Sequence, residues 1–282
     1  MLIFNEVSSL QEKLDELRKS GKTIGFVPTM GALHAGHISL VLKAASENDV
    51  VVVSIFVNPT QFNNPEDLKN YPKTPEKDHK MLEENKVDIL FSPEVNEIYK
   101  GKENERDIKP LGQLEDVMEG EHRPGHFSGV VQIVSRLFEI VKPKKAYFGE
   151  KDFQQLAVIH YMTDLLRFPV EIIGCPTVRE KSGLAMSSRN LRLSEEGLTI
   201  AAEISKALKY AQRHWQTNQP RSLKEEVISR IESTGELTIE YIELADEATL
   251  EKVIHWKNHK HVRCFAAVFC EEIRLIDNIR IF

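Results

Sequence analysis

The sequence predicts an α/β fold, a doubly wound, Rossmann-like parallel sheet, followed by a smaller α+β C-terminal domain. Three observations predict it. Short apolar runs alternate with stretches of helical spacing up to about residue 176. The run 50–57 is β-branched with little alternation, the mark of a strand covered on both faces. Beyond residue 176 the rhythm changes to two helices and then adjacent strands, the order of an α+β unit.

Residues 8–19 place Leu10, Leu14 and Leu17 on one helical face. The run 23–27 reads as a strand ended by Pro28. Gly31 and Gly36 bracket a loop, and from His37 a helix face of Ile38, Val41, Leu42 and Ala45 follows. With the strand at 50–57 this makes strand, glycine loop, helix, strand, a βαβ unit that implies parallel pairing. A helix at 77–84 and a strand at 87–91, ended by Pro93, continue the alternation. A helix at 128–141 carries Val130, Ile133, Val134, Leu137, Phe138 and Val141 at helical spacing. A short strand at 146–148, a helix at 153–166 and a strand at 170–173 complete this part. Ser194 reads as the N-cap of a long helix with Glu195 and Glu196 in its first turn, where negative charge suits the helix dipole. A second helix at 222–232 precedes strand-like runs at 237–244, 262–269 and 273–276. The expected domains are 1–176 and 177–282, with the loop 176–190 as hinge.

Length and composition set bounds. At 282 residues with 41% hydrophobic and 28% charged, the chain can bury a sizeable core without disulfide or metal staples. The formal net charge of −6 argues against a nucleic-acid surface, which needs clustered Lys and Arg. Lys142, Lys144 and Lys145 read as a solvated loop. Cys175, Cys264 and Cys270 fit no zinc or redox spacing and read as reduced, mostly buried thiols of a cytoplasmic protein. The start, MLIFNEVSSL, lacks the pattern of a secretory signal, and the apolar run at 50–57 is too short to cross a membrane.

Four loops carry the chemistry. Pro28-Thr29-Met30-Gly31-Ala32-Leu33-His34-Ala35-Gly36-His37 runs from the first strand into a helix N-terminus, which offers free N–H groups to phosphate. His34 and His37, three apart, can reach the same phosphate. G-x-G-x-x-G is absent, so this is not the dinucleotide fingerprint. Asn58-Pro59-Thr60-Gln61 ends the next strand, and Gln61 supplies a donor and an acceptor to a polar small molecule. In Gly149-Glu150-Lys151-Asp152-Phe153-Gln154-Gln155, Lys151 suits a nucleotide phosphate, Asp152 the ribose hydroxyls, and Gln155 projects toward Gln61. Met186-Ser187-Ser188-Arg189, in the hinge, fits a triphosphate clamp. Each loop alone has a bland reading as polar turn or linker; four in one chain favour a shared site.

PTMGALHAGH, FVNPTQF, FGEKDFQQ and AMSSRN, together with GEHRPGHFSGVV at 120–131, resemble the pantothenate synthetase (pantoate–β-alanine ligase) family over the whole chain. The resemblance implies that ATP and pantoate give pantoyl adenylate and pyrophosphate, and that β-alanine then yields pantothenate and AMP. It casts His37, His34, Lys151 and Arg189 as catalytic. It gives Met30, Gly149, Asp152, Val178, Met186, Ser187 and Ser188 to ATP, and Gln61, Gln155, Asn58, Arg123 and His126 to pantoate or β-alanine. It further implies Mg²⁺ with ATP, Asp78 as metal partner after Tyr71, and a homodimer. Two other functions fit part of the pattern: a nucleotidylyltransferase acting on another small substrate, and a non-catalytic nucleotide sensor. A zinc module would need a ligand beyond His34 and His37.

Overall fold

The computed structural model describes residues 1–100 and 111–282. Six strands form a parallel sheet: β1 (Leu2–Phe4), β2 (Ile24–Thr29), β3 (Val50–Ile55), β4 (Ile89–Phe91), β5 (Lys145–Gly149) and β6 (Glu171–Cys175), in the order β1-β4-β3-β2-β5-β6. From β2 the chain winds outward through β3 to β4, then returns to lay β5 on the other side of β2. The winding therefore reverses between β2 and β5, and a crevice opens there beyond the strand ends.

The β3 sequence explains its central place. Val50 and Val52 pack into one core with Phe26, Ile89 and Phe91; Val51 and Val53 face the opposite one with Val27 and Leu90. Apolar side chains on both faces suit a strand with helices above and below. The first face is covered by α1 (Val7–Lys19), α8 (His126–Val141) and α9 (Phe153–Leu165), the second by α2 (Ala35–Glu47) and α4 (Pro75–Glu84). Short helices α3 (Pro65–Lys69), α5 (Val95–Tyr99), α6 (Gln113–Asp116) and α7 (Glu119–His122) fill the connections around the sheet.

Several expectations need correction. The α2 core face is Ile38, Leu40, Val41 and Ala44; Leu42 and Ala45 are exposed, because packing on the sheet buries the neighbouring stripe that passes through Leu40 and Ala44. Pro28 does not end β2. The strand runs to Thr29 along β3, whereas its ladder with β5 covers only Gly25 and Phe26, so at Pro28 a lost N–H costs no second ladder. Lys145 is not loop but β5, half-buried and paired with Glu47 and Glu171. Strand β1 gave too short an apolar signal to read.

The C-terminal sheet is antiparallel, β7 (Leu237–Asp246), β8 (Val262–Cys270) and β9 (Ile273–Arg280), with β8 in the middle. Helices α10 (Glu195–His214) and α11 (Pro220–Glu232) pack on it, and Leu208, Leu223, Val227 and Ile231 share a core with Val262, Cys264, Ala266 and Val268. Cys270 and Ile273 pair across a two-residue hairpin whose Glu271 and Glu272 both have positive φ, the twist such hairpins require. Glu271 in turn accepts the amide of Ser194, the residue whose hydroxyl caps α10 at Gly197. A cap of this kind is worth ~1 kcal/mol.

The smaller domain rests on the larger through buried polar contacts. Arg274 of β9 and Tyr241 of β7 bind the Glu119 carboxylate at 2.8 Å each. Burial alone would raise the Glu119 pKa, but Arg274 overcomes it and holds the carboxyl down at about 2. Cys175, Cys264 and Cys270 are free and buried.

Candidate active site

Loop 30–34 leaves β2 at the crevice. Gly31 has φ +80° and Ala32 φ +49°, consecutive left-handed residues of which only glycine is at ease. Asp78 of α4, 1% exposed, holds this bend: its carboxylate accepts the amides of Ala32 at 2.9 Å and Leu33 at 2.8 Å, and the Thr74 hydroxyl at 2.9 Å. Asp78 does not line the cleft, and its oxygens face the loop. Among the described residues, no group of three His, Cys, Asp or Glu side chains is placed to hold a metal ion.

His34 is the N-cap of α2. Its Nδ1 accepts the Gly36 amide at 3.1 Å, and His37 Nδ1 accepts the His34 amide at 3.3 Å. The ring nitrogen that accepts carries no proton, so each neutral imidazole keeps its proton on Nε2. Burial, then the neighbouring Lys151 charge, pushes the His34 pKa down to about 4. Burial, then His34, pushes His37 down to about 3. Two uncharged donors thus stand at the head of a helix.

The 58–61 turn packs against α8 at Gly129. A Cβ there would lie 2.4 Å from the Thr60 carbonyl, so only glycine admits the approach. Asn58 is 1% exposed and spends its amide on the Gly129 carbonyl at 3.1 Å and Gln61 Oε1 at 3.2 Å. Its role is to orient Gln61, whose own amide meets Met30 Sδ at 3.0 Å. His126 Nδ1 bonds the Gln61 carbonyl at 2.9 Å, and Arg123 reaches His126 Nε2 at 3.2 Å. Arg123 and His126 therefore stand behind Gln61, outside the cleft wall.

At the end of β5, Lys151 lies 3.7 Å from the Asp152 carboxylate in a single 3₁₀ turn that leads into α9. Opposite, Ser187 caps a second 3₁₀ turn by accepting the Arg189 amide. The Ser188 hydroxyl donates to the Ala32 carbonyl at 3.0 Å, which latches this loop to the histidine loop. Arg189 binds Asp67 at 2.7 Å and lies 5.7 Å from the Tyr71 ring centre. Burial lowers the Arg189 pKa, but Asp67 more than offsets it and the net shift is upward.

These four loops enclose one cleft of about 1220 Å³ counted to its open mouth. Met30, His34, His37, Asn58, Gln61, Gly149, Lys151, Asp152, Gln155, Val178, Met186, Ser187, Ser188 and Arg189 line it. One side is apolar, formed by Val130, Ile133, Val134 and Leu137 of α8. The helical spacing of these four residues identified them as core only, and no sequence signal separates a core face from a cleft wall. Tyr71 also lines the cleft, and Asp67, which aims Arg189, was not foreseen.

Known proteins share this architecture. A family model described as pantoate-beta-alanine ligase matches residues 2–280. A pantothenate synthetase of Porphyromonas gingivalis is 48% identical over 280 residues, 99% of both chains. The crystal structure of pantothenate synthetase from Thermus thermophilus superposes with a TM-score of 0.93 at 40% identity, covering 100% of both chains. A pantoate-beta-alanine ligase from Francisella tularensis, solved in complex with beta-gamma ATP and beta-alanine, has a TM-score of 0.82 at 38% identity and covers 100% of this chain and 98% of its own. With a match over nearly its full length, the chain belongs to the pantoate-beta-alanine ligase family.

Proposed function

We propose that the cleft joins pantoate to β-alanine at the expense of ATP. A pantoate carboxylate oxygen attacks the α-phosphorus, the bond to the bridging oxygen breaks, and pyrophosphate leaves. The β-alanine amine then attacks the acyl carbon of pantoyl adenylate, AMP leaves, and the nitrogen loses a proton. The observation that carries this reading is the convergence of His34, His37, Lys151 and Arg189 on the same cleft as Gln61 and Gln155.

Attack by an anion on a polyphosphate is opposed by charge. Lys151 and Arg189 supply fixed positive charge, and the two Nε2–H groups supply donors that need no reorganisation as charge builds. Gln61 and Gln155 suit the hydroxyl and carboxylate of pantoate; the α8 wall suits its methyl groups. Holding both reactants in line contributes much of the remaining rate gain. Met30, Gly149, Val178, Met186 and Ser187 are the further ATP-side residues in this reading, with Asp152 directed to the ribose. Mg²⁺ enters as part of the Mg·ATP substrate, since this ion usually keeps one or two carboxylates plus phosphate oxygens. Among the described residues Asp152 is the one acidic side chain lining the cleft, so a carboxylate contact to the ion would compete with its ribose role.

The reading extends to organisation. Residues 1–176 form the larger ATP- and pantoate-binding domain and 177–282 the covering domain, whose first loop adds Val178, Met186, Ser187 and Arg189 to the ATP side, in keeping with a core on each side of that division. A homodimer in the cytoplasm fits the family resemblance, the buried free thiols, and the fact that no helix among the described residues is long and apolar enough to cross a membrane. Sedimentation of the purified protein measures the assembly. The reaction itself is tested by product analysis with ATP, Mg²⁺, pantoate and β-alanine, together with ATP–pyrophosphate exchange without β-alanine. Exchange that needs no pantoate would sink the reading and favour a nucleotidylyltransferase with another acceptor.

A further inference from the structure

The turn that carries Lys151 is held from outside its own domain. Asn278 of β9, 3% exposed, donates both hydrogens of its side-chain amide to backbone carbonyls, that of Glu150 at 3.0 Å and that of Lys151 at 2.7 Å. Its Oδ1 accepts from Arg263, which fixes which way the amide faces. Arg263 is itself held by Glu247 at 2.8 Å and Glu150 at 3.4 Å. The preceding residue, Asp277, holds a second segment of the cleft. It takes Arg179 through two bonds of 2.6 Å and 3.0 Å, and Arg179 sits in the hairpin whose Val178 and Met186 line the cleft.

We infer that Asp277 and Asn278 are positioning residues for ATP: one dipeptide on the small sheet fastens the Lys151 turn and the 178–186 hairpin at once. Neither residue lines the cleft. Both act by fixing backbone that bears nucleotide-facing groups, and a misplacement of 1 Å at such groups costs on the order of 10²-fold. The arrangement extends the smaller domain's part in the nucleotide site from its first loop to its sheet. This inference rests on the reading of Lys151 and the hairpin as ATP-binding.

Two substitutions of nearly unchanged shape test it. Asn278→Asp removes both donors and leaves an acceptor against two carbonyls; Asp277→Asn removes the charge that holds Arg179. Equilibrium binding of ATP is measured by calorimetry, beside the melting temperature and the KM and kcat of the full reaction. The expected result is an ATP Kd and KM raised ~10-fold or more in each variant. A purely structural role would lower the melting temperature or the active fraction, and hence kcat, with Kd and KM for ATP within twofold of the parent; that result overturns the inference. Should Asn278→Asp fail to fold, Asp277→Asn decides by the same criterion. ATP binding in the parent that is unaffected by Lys151→Ala would instead strike the reading on which the inference rests.

Discussion

His34 and His37 lie with ring centroids 4.1 Å apart, each with Nδ1 occupied by a backbone amide. Their pKa values, about 4 and about 3, make both rings neutral at neutral pH. The pH profile of pantoate-dependent pyrophosphate exchange should therefore show no acid limb near the ordinary imidazole value of ~6.5 and stay level down to about pH 5. A limb at pH 6.5 that disappears in His37→Ala would refute the neutral-donor role.

The same depression links to stability. The folded chain binds protons on these rings less readily than the unfolded chain, so the stabilisation is full above the unfolded value and is lost as pH falls. His126, pushed down to about 4 by burial and then by Arg123, adds to it. The melting temperature should fall between about pH 6.5 and pH 4. Replacing His126 with Gln should flatten that slope; an unchanged slope counts against the assignment.

Replacing His37 with Ala removes the acceptor of the His34 amide and, in the proposed mechanism, one donor to the reacting phosphates. Adenylation should slow by ~100-fold or more, the scale for one lost transition-state donor. Circular dichroism checks that the fold survives. Near-full turnover in a folded variant would remove His37 from the mechanism.

Asp78 is predicted to matter for the loop and not for metal. Asp78→Asn turns a donor toward the amides of Ala32 and Leu33, and leaving a buried donor unsatisfied costs ~1–3 kcal/mol. The melting temperature should drop by roughly 2–4 °C per kcal/mol, given the size of the domain. The Mg²⁺ concentration that half-activates the reaction should stay where it was. A large rise in that concentration with an unchanged melting temperature would restore the metal role.

How much of this could be read from residues alone divides along physical lines. Strands such as β3 and helices such as α8 announce themselves through period and burial. The loops 28–37 and 149–155 were legible because each joins a strand end to a helix start, where ligand sites form, and those at 58–61 and 186–189 because of their clustered polar side chains. Asp67, Asn278 and the loop-holding role of Asp78 were not, since each acts on residues 45 to 128 positions away through a carboxylate or amide that local patterning does not distinguish from a surface group. The outer turns of α2 misled for a related reason: Leu42 and Ala45 fit a helical stripe, but which stripe faces the sheet is set by tertiary packing, and the buried one is Ile38, Leu40, Val41 and Ala44.

Gly129 permits close packing of α8 on the turn that carries Gln61. In Gly129→Ala the new methyl would stand 2.4 Å from the Thr60 carbonyl and 2.6 Å from the Gln61 Cα, both backbone atoms that cannot rotate away. The 58–61 turn must then retreat from α8, and the bond from Asn58 to the Gly129 carbonyl lengthens with it. Overpacking of this kind costs typically ~1–3 kcal/mol, so the melting temperature should fall. Because Asn58 also orients Gln61, the damage should show in the KM for pantoate more than in the KM for ATP. Equal effects on both substrates would mean that the turn supports the whole cleft and that Gln61 has no selective hold on pantoate.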